Sequence, residues 1–267
     1  MIILDLSFNY LKPFDELDLI RLGKKNDGGY VVSKKSLETD NSLLTFGMCN
    51  EWSFEEEFIK LNSKNYVHIY DHTVDLSFFL FRLYKSIKRL FYFKSNFSNV
   101  YEKTKELIKY IKLSNSRIKH FKKKISNENS LKSRSLKESL DEMKINGKLM
   151  LKIDIEGDEF EILKNVNLYS EKIHTLIIEF HDLDKKLDDF EKLIKYINKK
   201  FYIIHIHGNN YSKCGTNGIP NTLEITFLNS KMFFKANKQT KFSFPIENLD
   251  FPNDPTKKDI DKNFKIL

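Results

Sequence analysis

Acidic side chains directly follow an apolar run near the middle of the chain. Residues 149–151 and Ile153 are apolar, and Asp154, Glu156 and Gly157 come next, before a helical pattern begins. This pattern predicts a buried parallel strand that ends at Asp154, a tight turn at Gly157 and a helix that leaves the sheet. Ligands of open α/β sheets bind outside the carboxyl ends of the strands. We therefore expect Asp154 and Glu156 where such a fold carries out its chemistry.

Acids near the start of a helix also have a purely structural explanation. Negative side chains there interact favourably with the helix dipole. That explanation accounts for Asp158 and Glu159. It accounts poorly for Asp154, which still lies inside the strand pattern, so Asp154 stays a candidate for function.

Two earlier strand patterns end in a glycine and in a carboxylate. Gly47 closes the run 43–47, and Asp71 closes the run 66–71. A glycine lets the backbone approach a ligand closely, and a carboxylate can accept both hydroxyls of a ribose. Each residue alone also fits an ordinary turn after a strand. Together and in this order they favour an adenosine-type cofactor.

Three histidines lie at the carboxyl ends of predicted strands and are candidate general bases: His72, His181 and His207. We assign Asp154, His181 and His207 to catalysis. Asp154, Glu179 and His207 also form a candidate metal site, with His181 beside them, because mixed carboxylate and imidazole ligands suit Mg²⁺ or Mn²⁺. If no metal is bound, these side chains orient the acceptor by hydrogen bonds.

Strand-like and helical runs alternate along the chain, which predicts a mostly parallel sheet with right-handed crossovers. The predicted strands are 43–47, 66–71, 120–125, 149–154, 175–180, 201–207 and 223–228. The predicted helices are 52–61, 76–93, 100–113, 136–143 and 187–199, besides the one after Gly157.

Charge is distributed unevenly over the 267 residues. The formal net charge is +8, but residues 82–137 hold seventeen Lys or Arg and three Glu, a local balance of +14. Such a patch favours an anionic partner, although a solvated helical face would have the same composition. The two helices predicted within 74–116 carry much of this charge. Helix 76–93 could lie on a membrane surface, cover the domain as a lid or form a homodimer interface.

Several segments resemble the FkbM-like S-adenosylmethionine (SAM) methyltransferases. Residues 152–163 read KIDIEGDEFEIL, which is similar to the signature of that family. Residues 27–32, 46–55 and 177–181 resemble its opening and its fifth strand. The similar parts span roughly 20–72 and 117–228, whereas residues 73–116 resemble nothing we can place.

The resemblance implies a Rossmann-like class I methyltransferase fold, α/β with seven mostly parallel strands and the last one antiparallel, here with a helical insertion. It implies methyl transfer, commonly to sugar hydroxyls in natural products and surface glycans. By position, Gly47 would line the methionine end of SAM, Asp71 would hold the ribose, and Ser126 and Asn127 would lie beside adenine. Asp154 would lie near the sulfonium. Met48, Cys49 and Asn50 depart from the small or acidic residues that usually follow the glycine.

We therefore expect a single cytoplasmic methyltransferase domain over 1–267, with a basic helical insertion at 74–116 and a surface-wrapping tail at 230–267. The expected acceptor is an anionic sugar or a phosphorylated or nucleotide-linked precursor of a bacterial capsule or surface polysaccharide. A second hypothesis is methylation of a phosphate-derived oxygen, which would give an O-methyl phosphoramidate decoration of the capsule, and a third is a non-catalytic basic binding module on a methyltransferase fold. The charge has no accompanying nucleic-acid motif, so we expect no nucleic-acid partner. The short apolar N-terminus predicts neither a signal peptide nor a spanning helix.

Overall fold

In a computed structural model, the chain folds around one mixed β-sheet. The structure describes residues 3–4, 6–15, 18–113, 117–127, 130–144, 147–215, 218–232, 244–260 and 265–266. The strands are β1 (Ile3–Leu4), β2 (Leu19–Leu22), β3 (Tyr30–Ser33), β4 (Asp40–Phe46), β5 (Tyr66–Tyr70), β6 (Ile118–Phe121), β7 (Lys124–Ile125), β8 (Ser133–Arg134), β9 (Lys148–Ile153), β10 (Ile173–Phe180), β11 (Phe201–Gly208), β12 (Leu223–Asn229) and β13 (Lys265–Ile266). The helices are α1 (Lys34–Thr39), α2 (Ser53–Leu61), α3 (Leu76–Phe91), α4 (Phe97–Leu113), α5 (Leu136–Glu142), α6 (Glu159–Leu163) and α7 (Leu187–Ile197), with 3-10 turns at Leu6–Leu11, Val166–Tyr169 and Ser230–Met232.

Seven of these strands form the central sheet, in the order β6-β5-β4-β9-β10-β12-β11. The pairs from β6 to β10 are parallel, and β12 is antiparallel to both of its neighbours. If these seven strands are numbered 1–7 along the chain, their order in the sheet is 3-2-1-4-5-7-6. The seventh, β12, lies between β10 and β11 and is antiparallel to both. This is a Rossmann-like class I methyltransferase sheet, and the predicted fold is confirmed. The strand order reverses direction between β4 and β9, where open α/β sheets bind their ligands.

Both faces of the sheet are covered, which explains why its strands are nearly continuous apolar runs. Leu44, Phe46, Leu151 and Ile153 face a core that includes α5, α6 and α7. The alternate side chains face a second core built from α2, α3, α4 and the β2–β3 hairpin. Because successive side chains of a strand point to opposite faces, one strand serves both cores.

The strand register places the residues that follow the strands along one edge. Phe46 pairs with Ile153 on one side and with Tyr70 on the other, and Ile153 in turn pairs with Ile178. The next residues along these strands are Gly47, Asp154, Asp71 and Glu179. The sheet therefore presents the predicted site residues of four adjacent strands at the same level.

The third strand differs from the prediction of 120–125. Strand β6 ends at Phe121, and β7 leaves the sheet to pair with β8. Residues 122–124 are three consecutive lysines. Successive side chains of a strand point to opposite faces, so this run would direct lysines to both faces of the sheet. Instead the chain leaves the sheet, and Lys122, Lys123 and Lys124 pair with Asp75, Glu142 and Asp158.

Two helices lie between β5 and β6. Their base is fixed to the domain by an aromatic cluster: the ring centroids of Phe79 and Tyr110 are 4.5 Å apart, and Trp52 packs edge-on to both. Tyr110 also bonds to His120 of β6 through its hydroxyl, at 2.9 Å. The far end of the hairpin, around residues 91–97, is exposed.

The described part of the C-terminal tail, 244–260, does more than cover the surface. Asn253 is 1% exposed and donates its amide to Glu224 of β12 at 2.6 Å. Asp250 is also buried and contacts His205 of β11. The tail thus supplies polar side chains to the interior beside the antiparallel strands.

One buried ion pair lies beneath the site. Lys152 of β9 is 3% exposed, and its Nζ is 3.4 Å from Oε1 of Glu55, which is fully buried on α2. Thr45 donates its hydroxyl to the same oxygen, and the ammonium lies 5.0 Å from the centre of the Tyr30 ring. Burial alone would lower the pKa of Lys152, but Glu55 and Asp154 reverse the effect and raise it, which keeps the lysine charged.

We predict that Lys152→Met lowers the free energy of unfolding by about 3–5 kcal/mol, because the change leaves Glu55 buried without its cation. Urea unfolding monitored by circular dichroism measures the loss. Replacing both partners, Lys152→Met with Glu55→Leu, should recover most of it. Lys172→Met removes an exposed lysine and is the matched control; a loss no larger than that of the control would contradict a stabilising pair.

Candidate active site

A cavity of about 420 Å³ opens at the carboxyl ends of β4, β5 and β9. It is lined by Gly47, Met48, Cys49, Tyr70, Asp71, His72, Thr73, Phe78, Lys123, Lys124, Ile125, Asp154, Ile155, Glu156 and Asp158. Its size is in the range of small-molecule and cofactor sites. Of the residues predicted to bind cofactor, Gly47, Asp71 and Asp154 lie on this one wall.

Gly47 occupies a position that excludes any side chain. Its φ is +81°, and a Cβ atom there would lie 1.6 Å from the main-chain oxygen of Asp154. The loops after β4 and β9 are also tied together, since the N–H of Asp154 donates to the oxygen of Phe46 at 2.8 Å. The glycine is thus required by the approach of two loops as well as by space for a ligand.

Asp71 accepts four hydrogen bonds from its own surroundings. The backbone N–H groups of Met48 and Cys49 donate to Oδ2, each at 2.9 Å, and Thr73 donates its N–H and its hydroxyl to Oδ1. Burial alone would raise the pKa of Asp71, but these hydrogen bonds outweigh it and lower the pKa. Asp71 is therefore a carboxylate that fixes the loop after β4 at the cavity wall.

Ser126 and Asn127 lie in a neighbouring recess rather than on the wall of the main cavity. This recess of about 220 Å³ is also lined by Lys124, Ile125 and Asp158, which line the main cavity as well. Asn127 donates its amide to the main-chain oxygen of Glu161 at 3.1 Å. Ile125, one residue before Ser126, lines the main cavity and offers an apolar side chain that suits the face of a purine.

A carboxylate–imidazole cluster forms the rim of the cavity. Nε2 of His181 is 3.9 Å from Oδ1 of Asp154 and 3.6 Å from Oε2 of Glu156, which is exposed. Nδ1 of His181 contacts Oε1 of the buried Glu159 at 2.8 Å. Among the described residues, Asp154, Glu156 and His181 are the group whose ligand atoms come together within 4.8 Å.

Asp154 and His181 of this cluster have shifted pKa values. Burial raises the pKa of Asp154 to about 6, although Lys152 and His181 oppose the change. Burial alone would lower the pKa of His181, but its contact with Glu159 outweighs burial and raises it. Asp154 thus has the strength of a base that works near neutral pH.

Glu179 lies behind the rim and is 4% exposed. Asn209 donates its amide to Oε1 at 2.7 Å, and the hydroxyl of Tyr30 lies 3.4 Å from Oε2 and 3.3 Å from Oδ2 of Asp154. Burial, followed by the charge of Asp154, raises the pKa of Glu179 well above its ordinary value. The arrangement favours an ionised Asp154 beside a neutral Glu179.

His207 does not join the cluster, which corrects its predicted place beside Asp154 and Glu179. Its strand, β11, is separated from β9 by β10 and β12, or about 14 Å at the usual strand spacing. Its ring nitrogens contact Glu224 at 3.3 Å and Asp259 at 3.3 Å, and these acids raise its pKa to about 10 against the effect of burial. His207 is a buried cation that ties the tail to the sheet.

Sequence reasoning did not single out three residues that complete the site: Tyr30, Glu159 and Asn209. Tyr30 comes from the β2–β3 hairpin and Asn209 from the end of β11, so neither is near Asp154 in the chain. The only local signal was the Asp-Gly-Gly-Tyr run before β3. Glu159 was read as an acid at a helix start, yet it is fully buried and orients His181.

The sheet order and the cavity at its switch point define a Rossmann-like methyltransferase. The chain matches the family model of the methyltransferase FkbM domain over residues 14–204. It therefore belongs to the FkbM methyltransferase family and is a SAM-dependent methyltransferase. A search of curated proteins finds no match.

Solved structures with similar folds are distant in sequence. They include a fibrillarin pre-rRNA processing protein of Methanococcus jannaschii (9% identity, 72% of this chain and 67% of that chain, TM-score 0.39). A second example is the METTL16 methyltransferase domain (12% identity, 74% of this chain and 62% of that chain, TM-score 0.41). A third is a precorrin-6y C5,15-methyltransferase of Geobacter metallireducens GS-15 (11% identity, 71% of this chain and 79% of that chain, TM-score 0.36). At TM-scores below 0.5 these likenesses carry no argument about substrate. No helix in the described parts of the chain has both the length and the apolar character needed to cross a bilayer.

Proposed function

We propose that this enzyme methylates a hydroxyl of a sugar, or of a phosphorylated or nucleotide-linked sugar precursor, in the biosynthesis of a bacterial capsule or surface polysaccharide. The observation that carries the proposal is the position of Asp154. Its carboxylate lies on the wall of a cofactor-sized cavity and in contact range of His181 at the rim. We also propose that the whole of 1–267 is one methyltransferase domain that works in the cytoplasm.

The cavity between β4, β5 and β9 is the proposed SAM site. Gly47 and Met48 would face the methionine end, Asp71 the ribose and Ile125 the purine, with Ser126 and Asn127 at the edge of the adenine end. Asp71 keeps its charge because its pKa is lowered, and a charged acceptor forms stronger hydrogen bonds to hydroxyl groups. Ribose hydroxyls would share the oxygens that already accept from Thr73, Met48 and Cys49.

Asp154 is the proposed general base. SAM supplies an activated methyl group, so the protein must align an acceptor oxygen with it and remove a proton. Ionised at neutral pH and partly exposed, Asp154 can accept that proton, while His181 on the same rim can hold the acceptor by hydrogen bonds. Tyr30 and Glu179 restrain the Asp154 carboxylate from the buried side.

The rim also fits a divalent ion, with Asp154, Glu156 and His181 as ligands in place of the predicted set with Glu179 and His207. The donors are hard oxygens and one imidazole nitrogen, as Mg²⁺ or Mn²⁺ requires. Glu159 holds Nδ1 of His181, which leaves Nε2 for the ion, and metal-binding histidines commonly have such a carboxylate partner. A bound ion would polarise the acceptor hydroxyl as a Lewis acid.

Cations near the cavity suit an anionic acceptor. Lys123 and Lys124 line it, and Arg82 on the first turns of α3 lies over the ring of Phe78, which also lines it. Arg82 is paired with Glu106 at 3.3 Å, and Lys124 with Asp158 at 2.6 Å. A phosphate could therefore bind by exchanging with these carboxylates, since Arg and Lys form charge-assisted hydrogen bonds to phosphate oxygens.

We predict that SAM and S-adenosylhomocysteine bind the enzyme and that Asp71→Asn weakens both by about 1–3 kcal/mol, because charge-assisted hydrogen bonds are lost. Isothermal titration calorimetry measures the affinities. Thr73→Val is the control, since it removes one partner of Asp71 but keeps the carboxylate. Equal affinities for Asp71→Asn and wild type would remove Asp71 from the ribose site.

A second prediction concerns turnover. Wild-type enzyme incubated with methyl-labelled SAM should label at least one class in a panel of free sugars, sugar phosphates and nucleotide-linked sugars. Asp154→Asn should bind SAM normally but lose about 100-fold or more in kcat, as expected for a missing general base. Asp188→Asn on α7 is the control for loss of a carboxylate. If no sugar is labelled by an enzyme that binds SAM, the proposed acceptor class is wrong.

A third prediction separates the two candidate ligand sets. Mn²⁺ should bind the enzyme after EDTA treatment, and His181→Ala should weaken it by about tenfold or more, since imidazole Nε2 is one of three protein ligands. His207→Gln should leave Mn²⁺ affinity unchanged. Calorimetry and the electron paramagnetic resonance of free Mn²⁺ both report binding. Full methyl transfer in EDTA, with no measurable Mn²⁺ binding, would show that the rim acts through hydrogen bonds alone.

A further inference from the structure

Helix α3 has two apolar faces, and only one of them packs against the domain. Phe79 is 1% exposed and, with Leu83, packs in the core that covers the sheet. A second stripe has the spacing of successive helical turns and faces solvent along the whole helix. Its members are Leu76, Leu80, Tyr84, Ile87 and Phe91, which are 36–79% exposed.

The stripe continues into the tip of the hairpin. Phe93 is 96% exposed, Phe97 80% and Tyr92 65%. Exposed apolar surface of this extent marks an interaction site in soluble domains. The base of the hairpin is anchored by Phe79 and Tyr110, so the tip is held away from the sheet by a fixed support.

Cations border this apolar surface. Helix α3 contains four Lys or Arg and no acid. Arg82 is paired with Glu106, but Lys85, Lys88, Arg89 and Lys94 form no ion pair with any described residue. These four line a shallow groove of about 520 Å³ together with Phe81, Tyr84 and Tyr92. Apolar side chains flanked by unpaired cations are the pattern of helices that lie in the interface of an anionic membrane.

We propose that the exposed face of α3 together with the tip of the α3–α4 hairpin, residues 80–97, docks on the surface of an anionic phospholipid bilayer. The rings enter the boundary between headgroups and acyl chains, and the four cations contact lipid phosphates. The proposal does not depend on the identity of the methyl acceptor.

Three other occupants fit less well. An acceptor bound in the active site could not cover the tip of the hairpin, because Phe91 is about 20 Å along the helix from Phe78 at the cavity. A second copy of the chain would bring two sets of unpaired cations together across the interface. A nucleic acid could stack on the rings but would leave the aliphatic members of the stripe, Leu76, Leu80 and Ile87, without contacts.

The test is co-sedimentation of the full chain with two kinds of vesicle. One consists of phosphatidylcholine alone, and in the other about 30% of the lipid is the anionic phosphatidylglycerol. Wild type should bind the anionic vesicles and release at high salt. Lys85→Gln, Lys88→Gln, Arg89→Gln and Lys94→Gln combined should lower the partition coefficient by about 600-fold, since each of the four cations near such a surface contributes roughly fivefold. Phe91→Ser, Phe93→Ser and Phe97→Ser combined should lower it at least about tenfold at low salt, since buried ring area is lost.

Matched controls separate the tip from general charge and apolar exposure. Lys60→Gln, Lys64→Gln, Lys192→Gln and Lys199→Gln remove the same charge elsewhere, and Leu131→Ser, Leu168→Ser and Tyr211→Ser remove exposed apolar groups elsewhere. Both controls should bind like wild type. Thermal melting confirms that each variant is folded.

Several results would overturn the proposal. One is that the wild-type protein does not bind anionic vesicles. Another is that the Lys/Arg and Phe variants bind the vesicles as well as their matched controls do. Light scattering that shows a dimer dissociated by the Phe substitutions, without vesicle binding, would make the tip an interface between copies. Binding to a single-stranded oligonucleotide but not to vesicles would assign the patch to nucleic acid.

Discussion

The site depends on the close approach of two backbone segments at the switch point of the sheet. The main-chain oxygen of Asp154 occupies the space where any side chain at position 47 would lie. This contact is possible only because residue 47 is a glycine with a positive φ. The contact fixes the positions of the loops after β4 and β9. These loops carry the Asp154 carboxylate and the backbone N–H groups of Met48 and Cys49 that donate to Asp71.

Around that contact, the protein buries several ionisable groups that contact one another. Lys152 and Glu55 lie beneath the site, while Tyr30 bridges Asp154 and Glu179. Burial makes each of these interactions stronger and each broken pair more costly than at the surface. The same balance of burial and pairing raises the pKa of Asp154 and lowers the pKa of Asp71, so two carboxylates of one sheet edge are shifted in opposite directions.

The antiparallel strands connect the site to the tail. Glu224 of β12 lies opposite Glu179 in the strand register and contacts both His207 and Asn253. The described tail segment therefore extends a buried polar layer next to the proposed catalytic edge. The helical hairpin on the other side is built differently, because its base is packed by aromatic rings and its tip is covered by nothing in the described part of the chain.

Much of this structure follows from the sequence alone. Apolar runs and helical spacing located the seven strands of the central sheet and six of the helices to within a few residues, but not α1 or the β2–β3 hairpin. The resemblance at 152–163 indicated the fold and the reaction. Residues directly after strands, such as Gly47, Asp71 and Asp154, could be placed at one edge because parallel strands share the direction of their carboxyl ends. The prediction of the third strand was less accurate, since periodicity did not show that the chain leaves the sheet at the lysines 122–124 and pairs them with carboxylates of other elements.

Only the tertiary structure decided which side chains meet. Local patterns carry no information about strand order, and the insertion of β12 between β10 and β11 moved His207 away from Asp154. The same long-range packing brought in Tyr30 and buried Glu159 beside His181. Sequence thus determined the elements and the chemistry available at their ends, whereas strand order and register determined the site, because contacts between distant segments depend on the packing of the whole sheet.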